Sequence, residues 1–170
     1  GLVGSEMCIR DRQIMATPSR QLILDNVATV LATITTGNGY KTDVATVSRA
    51  LKSWEDVGVP QMPYVAFAPI WASMPRYKPN ELLDVELPLT VVGHVNARSG
   101  ATKTAALAAL EDDIIAALNA DTTRDNNAIR TNWQGTQTDE GNQDSDDHRG
   151  GSGTLVMTFQ VLYQRTVNSS

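Results

Sequence analysis

The sequence predicts an α+β fold, a two-layer sandwich with two helices packed on one face of a mainly antiparallel sheet. Three observations predict it. Two segments, around Ile23–Ile34 and Leu107–Leu118, carry apolar residues at helical spacing along a single stripe. Two others, around Val85–Val95 and Leu155–Tyr163, alternate apolar and polar residues with the period of a strand. The order is helix, strands, helix, strands, which suits segregated layers better than alternating βα units. A one-sided helix must bury its stripe, and a sheet face offers the surface.

The first helix opens at Pro18, where a first-turn proline belongs, with Thr17 as its expected N-cap. Ile23, Val27, Val30, Leu31 and Ile34 form the stripe, and Arg20, Asp25, Asn26 and Thr29 the opposite face. Gly37-Asn38-Gly39 is expected to stop the helix, since these residues accept the left-handed conformation. Tyr40–Val44 then leads into a strand expected to run to about Leu51. Asp56–Pro60 reads as a turn. Met62–Ala68 is apolar on both faces, which predicts a central strand. Pro69–Asn80 reads as a connecting loop whose Trp71, Met74 and Tyr77 are apolar without periodicity.

Glu81–Val95 is predicted as a long strand. Val85, Leu87, Leu89, Val91 and Val95 take one face, and Asp84, Glu86, Thr90 and His94 the other. Pro88 lacks a ladder donor, so it argues for an edge strand or a bulge. The second helix is expected over Thr102–Ala120. Leu107, Leu110, Ile114 and Leu118 form its stripe, and Glu111, Asp112 and Asp113 are placed on the solvent side. Thr131–Gln134 is a candidate short strand anchored by Trp133. Residues 134–152 (QGTQTDEGNQDSDDHRGGS) contain no apolar side chain, which predicts an exposed acidic loop. Leu155, Met157, Phe159, Val161 and Tyr163 form one face of the closing strand. Val156 and Leu162 leave the other face partly apolar, as a self-associating protein would.

Residues 1–12 (GLVGSEMCIRDR) read as the translated end of a sequencing adapter. The expected biological start is then Met15, with 1–14 outside the fold and 15–170 a single domain. This sets aside Cys8, the one cysteine, and with it disulfide and thiolate chemistry. The net charge is −5, and the lysines (Lys41, Lys52, Lys78 and Lys103) are scattered. Sequence-specific nucleic-acid binding, which needs clustered cations, is not expected. Neither is a membrane segment, since no apolar run approaches ~20 residues.

Motifs that carry chemistry are incomplete. Arg98–Thr104 lies between a strand and a helix, but Ala97 and Thr102 stand where a phosphate loop needs glycine. It reads as a turn with an exposed Lys103. Gly150–Thr154 lacks the last glycine of a nucleophile elbow and precedes a strand. His94 and His148 have no partner motif for a triad. Asp144, Asp146 and His148 alternate like calcium ligands, but Leu155 stands where the closing glutamate belongs. No cofactor, metal site or enzymatic activity is expected.

Several runs together resemble the tail terminators of tailed bacteriophages, also called tail completion or minor tail proteins. They are NGYKTDV at Asn38–Val44, MPYVAF at Met62–Phe67, LLDVELPLTVVGHV at Leu82–Val95, TAALAALEDDIIAAL at Thr104–Leu118, TDEG at Thr138–Gly141 and LVMTFQVLYQRT at Leu155–Thr166. The resemblance spans Pro18–Thr166 and rests on element order and these runs, with no single diagnostic motif. The length and acidity of 134–152 set this chain apart. The resemblance implies an α+β subunit of a homohexameric ring in the virion, assembled in the host cytoplasm. The ring would cap the tail tube protein, end tail polymerisation and meet the head-side connector or neck protein. Trp71, Met74 and Tyr77 are then candidate ring or partner contacts. Asp139, Glu140, Asp144, Asp146 and Asp147 would face the channel or the tube, where negative charge lets DNA pass. Other readings are a head-closure, neck or tube protein, or a non-viral ligand-binding domain.

Overall fold

The computed structural model describes residues 18–70, 74–77, 82–97, 100–140 and 151–166. The fold is α+β, as expected. Helix α1 spans Ser19–Ala32 and α2 spans Gly100–Ala120. Strands β1 (Thr46–Ser48), β2 (Tyr64–Pro69), β3 (Met74–Tyr77), β4 (Leu82–Asn96), β5 (Arg130–Asp139) and β6 (Ser152–Thr166) form one sheet in the order β1-β2-β4-β6-β5. Strand β3 also pairs with β4, beyond the end of β2. All pairs are antiparallel except β1–β2. Among the described residues no helix is long and apolar enough to cross a membrane.

Both helices lie on one sheet face. Leu24, Val27, Leu31 and Ile34 of the first helical segment and Leu107, Leu110, Ile114 and Leu118 of α2 share a core with Val65, Phe67, Leu89, Val91, Leu155, Met157 and Phe159. Each such side chain contributes roughly 1.5–3 kcal/mol of apolar burial. Ile23 packs separately with Val85, Leu87, Val161 and Tyr163. The close approach of α2 needs Gly93, where a Cβ would stand 2.8 Å from Leu110 Cδ2 and 3.2 Å from Leu155 Cγ.

Several expectations are corrected. Pro18, not Thr17, occupies the N-cap position, with no side-chain cap; Thr17 lies outside the described residues. Helix α1 ends at Ala32, before the glycines. The Thr33 hydroxyl donates to the Val30 carbonyl at 2.6 Å, and Asn38 Nδ2 donates to the Thr33 carbonyl at 2.8 Å, closing the helix end. Gly39, at φ +89°, instead caps the 3-10 turn Thr36–Asn38. Strand β1 is only three residues long, and a strand, β3, stands within the expected loop 69–80.

Pro88 lies in the interior of the sheet, since β4 is flanked by β2 and β3 on one side and β6 on the other. Its carbonyl accepts from Ile70 N–H at 2.8 Å. In an antiparallel strand the N and O of one residue point the same way. The absent donor would therefore have faced Ile70, just past the end of β2, so Pro88 stands where the β2–β4 ladder stops.

Trp133 is no buried anchor. It stands on the edge strand β5, 43% exposed, and β5 runs on to Asp139 through what reads as loop. The sheet face opposite the helices is partly covered. A parallel β1–β2 pair needs a crossover, and this connection packs Val57 and Met62 against Tyr64 and Ala66. The Tyr64 hydroxyl donates to the Ala50 carbonyl at 2.7 Å.

Candidate functional site

The root of the acidic segment is built at one end of the sandwich, where β4 and β5 end and α2 and β6 begin. Asp139 pairs with Thr154 as the last β5–β6 rung, and its side chain is exposed. Glu140 follows and is half-buried. Its carbonyl accepts from Lys103 Nζ at 2.8 Å, and its carboxylate accepts from the Thr104 hydroxyl at 2.8 Å. Lys103, expected to be exposed, is only 7% accessible. Its apolar stem lies along β6 while its ammonium reaches the loop root. On the returning side Ala97 N–H donates to the Gly151 carbonyl at 2.9 Å. Gly151 sits at φ +93°, and a Cβ there would stand 2.2 Å from the Ala97 carbonyl oxygen. Glu140 and Gly151, which flank residues 141–150, are thus both tied to the junction of β4 and α2. Asp144, Asp146 and Asp147 lie outside the described residues, as does Trp71. Met74 and Tyr77 belong to β3, opposite Glu86 and Leu83.

The second candidate is the pair of sheet edges. β5 closes one side, and β1 with β3 closes the other. No described strand pairs with the outer side of β5. Its Trp133 is 43% exposed and neighbouring Ile129 44%, and Trp133 Nε1–H donates to the Thr136 hydroxyl at 3.1 Å. A shallow depression beside it is lined by Gln134, Gly135, Thr136, Gln137, Val156 and Thr158. Among the described residues no three His, Cys, Asp or Glu side chains are grouped to hold a metal ion.

Three further buried polar groups have structural roles that the sequence did not reveal. Asp113, expected on the solvent side, is 3% exposed. Its carboxylate accepts from the Lys41 and Thr42 backbone N–H groups at 3.0 and 2.7 Å and from the Thr42 hydroxyl at 2.6 Å. It therefore pins the NGYKTDV segment to α2. Helical phase was the available signal. At about 100° per residue, Asp113 falls on the flank of the Leu110–Ile114–Ala117 stripe and Asp112 on the far side.

His94 is 1% exposed and lies against the Tyr64 ring, with centroids 5.9 Å apart. Nε2 faces the Lys52 carbonyl at 2.7 Å and so carries the proton, leaving Nδ1 to accept from the Thr154 hydroxyl at 2.9 Å. Burial lowers its pKa, against the opposing pull of the Lys52 carbonyl.

Arg124 is fully buried at the C-terminal end of α2, where it donates to the Leu118 carbonyl. Helix ends leave such carbonyls without partners. Burial lowers its pKa, with Asp121 opposing. Asp121 itself is held below the usual carboxylate range, first by the Thr123 hydroxyl and then by the Asp125 N–H.

No protein-family model matches the sequence, and no curated protein matches it.

Proposed function

We propose that this chain is a structural subunit of a tailed-phage virion. In this reading six copies form a ring at the head-proximal end of the tail, which caps the tube protein, ends polymerisation and meets the head-side connector. The observation that carries the reading is a sheet whose two edges are unlike, a long β5 against a short β1 and β3, with no further described strand paired beyond either. Unlike patches on one subunit associate head to tail, and such contacts close into rings when the rotation allows. The runs quoted above and their order support the same reading. The acidic segment rooted at Glu140 and Gly151 would line the channel or the tube-facing rim, where negative charge repels DNA phosphates.

Light scattering after size exclusion over a concentration series, with negative-stain imaging of the heaviest species, tests this. A discrete species of six protomers seen as a closed ring is expected. Open filaments would assign the chain to a tube subunit instead. Absence of any species beyond a dimer at every concentration counts against a ring formed by the free protein.

A further inference from the structure

We infer that Asn38–Gly39 is a site of spontaneous chemical modification, at which the Gly39 backbone nitrogen displaces the Asn38 side-chain amide. The product lacks the tie that closes the end of α1. Of the ten asparagines only Asn38 precedes a glycine. Glycine has no Cβ to obstruct the approach of its own nitrogen to the preceding side chain, and its backbone reaches conformations closed to other residues.

The fold leaves this pair open to solvent. Thr36, Gly37, Asn38 and Gly39 are all exposed, and beyond its chain neighbours nothing stands within 4 Å of the position a Gly39 Cβ would take. The bonds that hold the turn are local. Asn38 Nδ2 donates to the Thr33 carbonyl at 2.8 Å, and Gly39 N–H to the Thr36 carbonyl at 3.1 Å. The Asp43 carboxylate accepts from the Thr36 N–H at 2.7 Å and from its hydroxyl at 3.0 Å. The flanks are anchored more deeply. Ile34 lies in the core, and Lys41 and Thr42 donate to the buried Asp113. An exposed turn with local bonds between two such anchors opens by itself, without unfolding the layers beneath it.

Opening frees both reacting groups. Gly39 N gives up its proton and attacks Asn38 Cγ. The N–Cγ bond forms as Cγ–Nδ2 breaks, and Nδ2 leaves as ammonia carrying a proton in exchange for the one Gly39 lost. Water then opens the cyclic imide at either carbonyl. Attack at Cγ breaks the new bond and yields aspartate. Attack at the Asn38 backbone carbonyl carbon breaks the original peptide bond and yields isoaspartate, whose main chain runs through Cγ. Nothing is oxidised or reduced, and water is the one co-reactant.

Either product lacks the Nδ2 donor that meets the Thr33 carbonyl. A carboxylate stands in its place at the C-terminal end of α1, where the helix dipole and the last carbonyls disfavour negative charge. Isoaspartate also lengthens the main chain between Ile34 and Lys41. One of these is held in the core and the other on Asp113, so the turn must deform to take up the added carbon.

The test follows the full chain over time in mildly alkaline buffer, folded or in urea, by peptide mass spectrometry. In the folded chain the peptide holding Asn38 is expected to gain the amide-to-acid mass before any other asparagine does. The products are a mixture of aspartate and isoaspartate, formed more slowly than in urea. Another asparagine reacting first, or Asn38 intact in the folded chain once the urea sample has converted, overturns the inference. D43A removes two bonds of the turn at an exposed position. It is expected to speed the reaction about fivefold in the folded chain and to leave the rate in urea unchanged. Equal folded rates for D43A and the parent overturn the gating by the turn. Asn38→Asp reproduces one product and is expected to lower Tm by about 2–4 °C. An unchanged Tm overturns the effect on the end of α1.

Discussion

Asp113→Ala is expected to be among the more damaging single substitutions on α2, and its neighbour Asp112→Ala among the mildest. Asp113 is 3% exposed and holds two backbone N–H groups and one hydroxyl of the Lys41–Thr42 segment at 2.6–3.1 Å. A hydrogen bond to a charged group contributes ~1.5–3 kcal/mol. The three share one carboxylate, and water reaches the exposed Lys41 side, so the sum is not additive. A loss of about 3–4 kcal/mol is expected. For a domain of this size that lowers Tm by roughly 6–15 °C. Asp113→Asn keeps one accepting oxygen and turns an N–H₂ toward donors, so about 1–2 kcal/mol is expected. Asp112 pairs with Lys41 Nζ at 2.7 Å, but both side chains are about 60% exposed. Solvent screens that pair, and Asp112→Ala should leave Tm unchanged. Thermal unfolding followed by circular dichroism measures all three. Equal shifts for Asp112→Ala and Asp113→Ala would refute the assignment of Asp113 as the tether.

Two further substitutions follow from the same geometry. His94 has its pKa lowered below 6.5 by burial, so the unfolded chain takes up its proton first as pH falls. Stability is then full above about pH 6.5 and declines as pH drops toward the folded-state pKa. His94→Asn should flatten this step in urea midpoints measured between pH 4.5 and 7.5, and His148→Asn serves as the control; an unchanged profile in His94→Asn would count against the burial account. Gly151→Ala drives a Cβ to 2.2 Å from a backbone carbonyl at φ +93°. It should cost about 3 kcal/mol or more, and an unaltered denaturation midpoint would show that the loop root tolerates a side chain.

The long alternating strands and both helical stripes were legible because their signals are local. Val85, Leu87, Leu89, Val91 and Val95 on β4, and Leu155 to Tyr163 on β6, take their faces from the pleat alone. Leu107, Leu110, Ile114 and Leu118 take theirs from the helical turn. The candidate sites were less legible. The polarity of 134–152 marks a solvated segment, but polarity does not say where pairing with β6 stops. Residues 134–139 became strand because β6 offers them partners. Trp133 resembles a core anchor by composition, yet an edge position leaves it exposed.

What the sequence determined by itself is therefore the layer plan: two one-sided helices, long two-faced strands, and the absence of complete catalytic or metal-binding motifs. What only the tertiary structure decided is adjacency. Pro88 is tolerated inside the sheet because the β2–β4 ladder stops there, with Ile70 just past the end of β2 opposite it. Asp113 is buried because a segment 71 or 72 residues away brings its N–H groups to it. Arg130 and Asp139 share a face because a bulge opposite β6 shifts the pleat by one residue. Each outcome depends on which backbone groups meet across long sequence separations, and neither periodicity nor composition encodes that meeting.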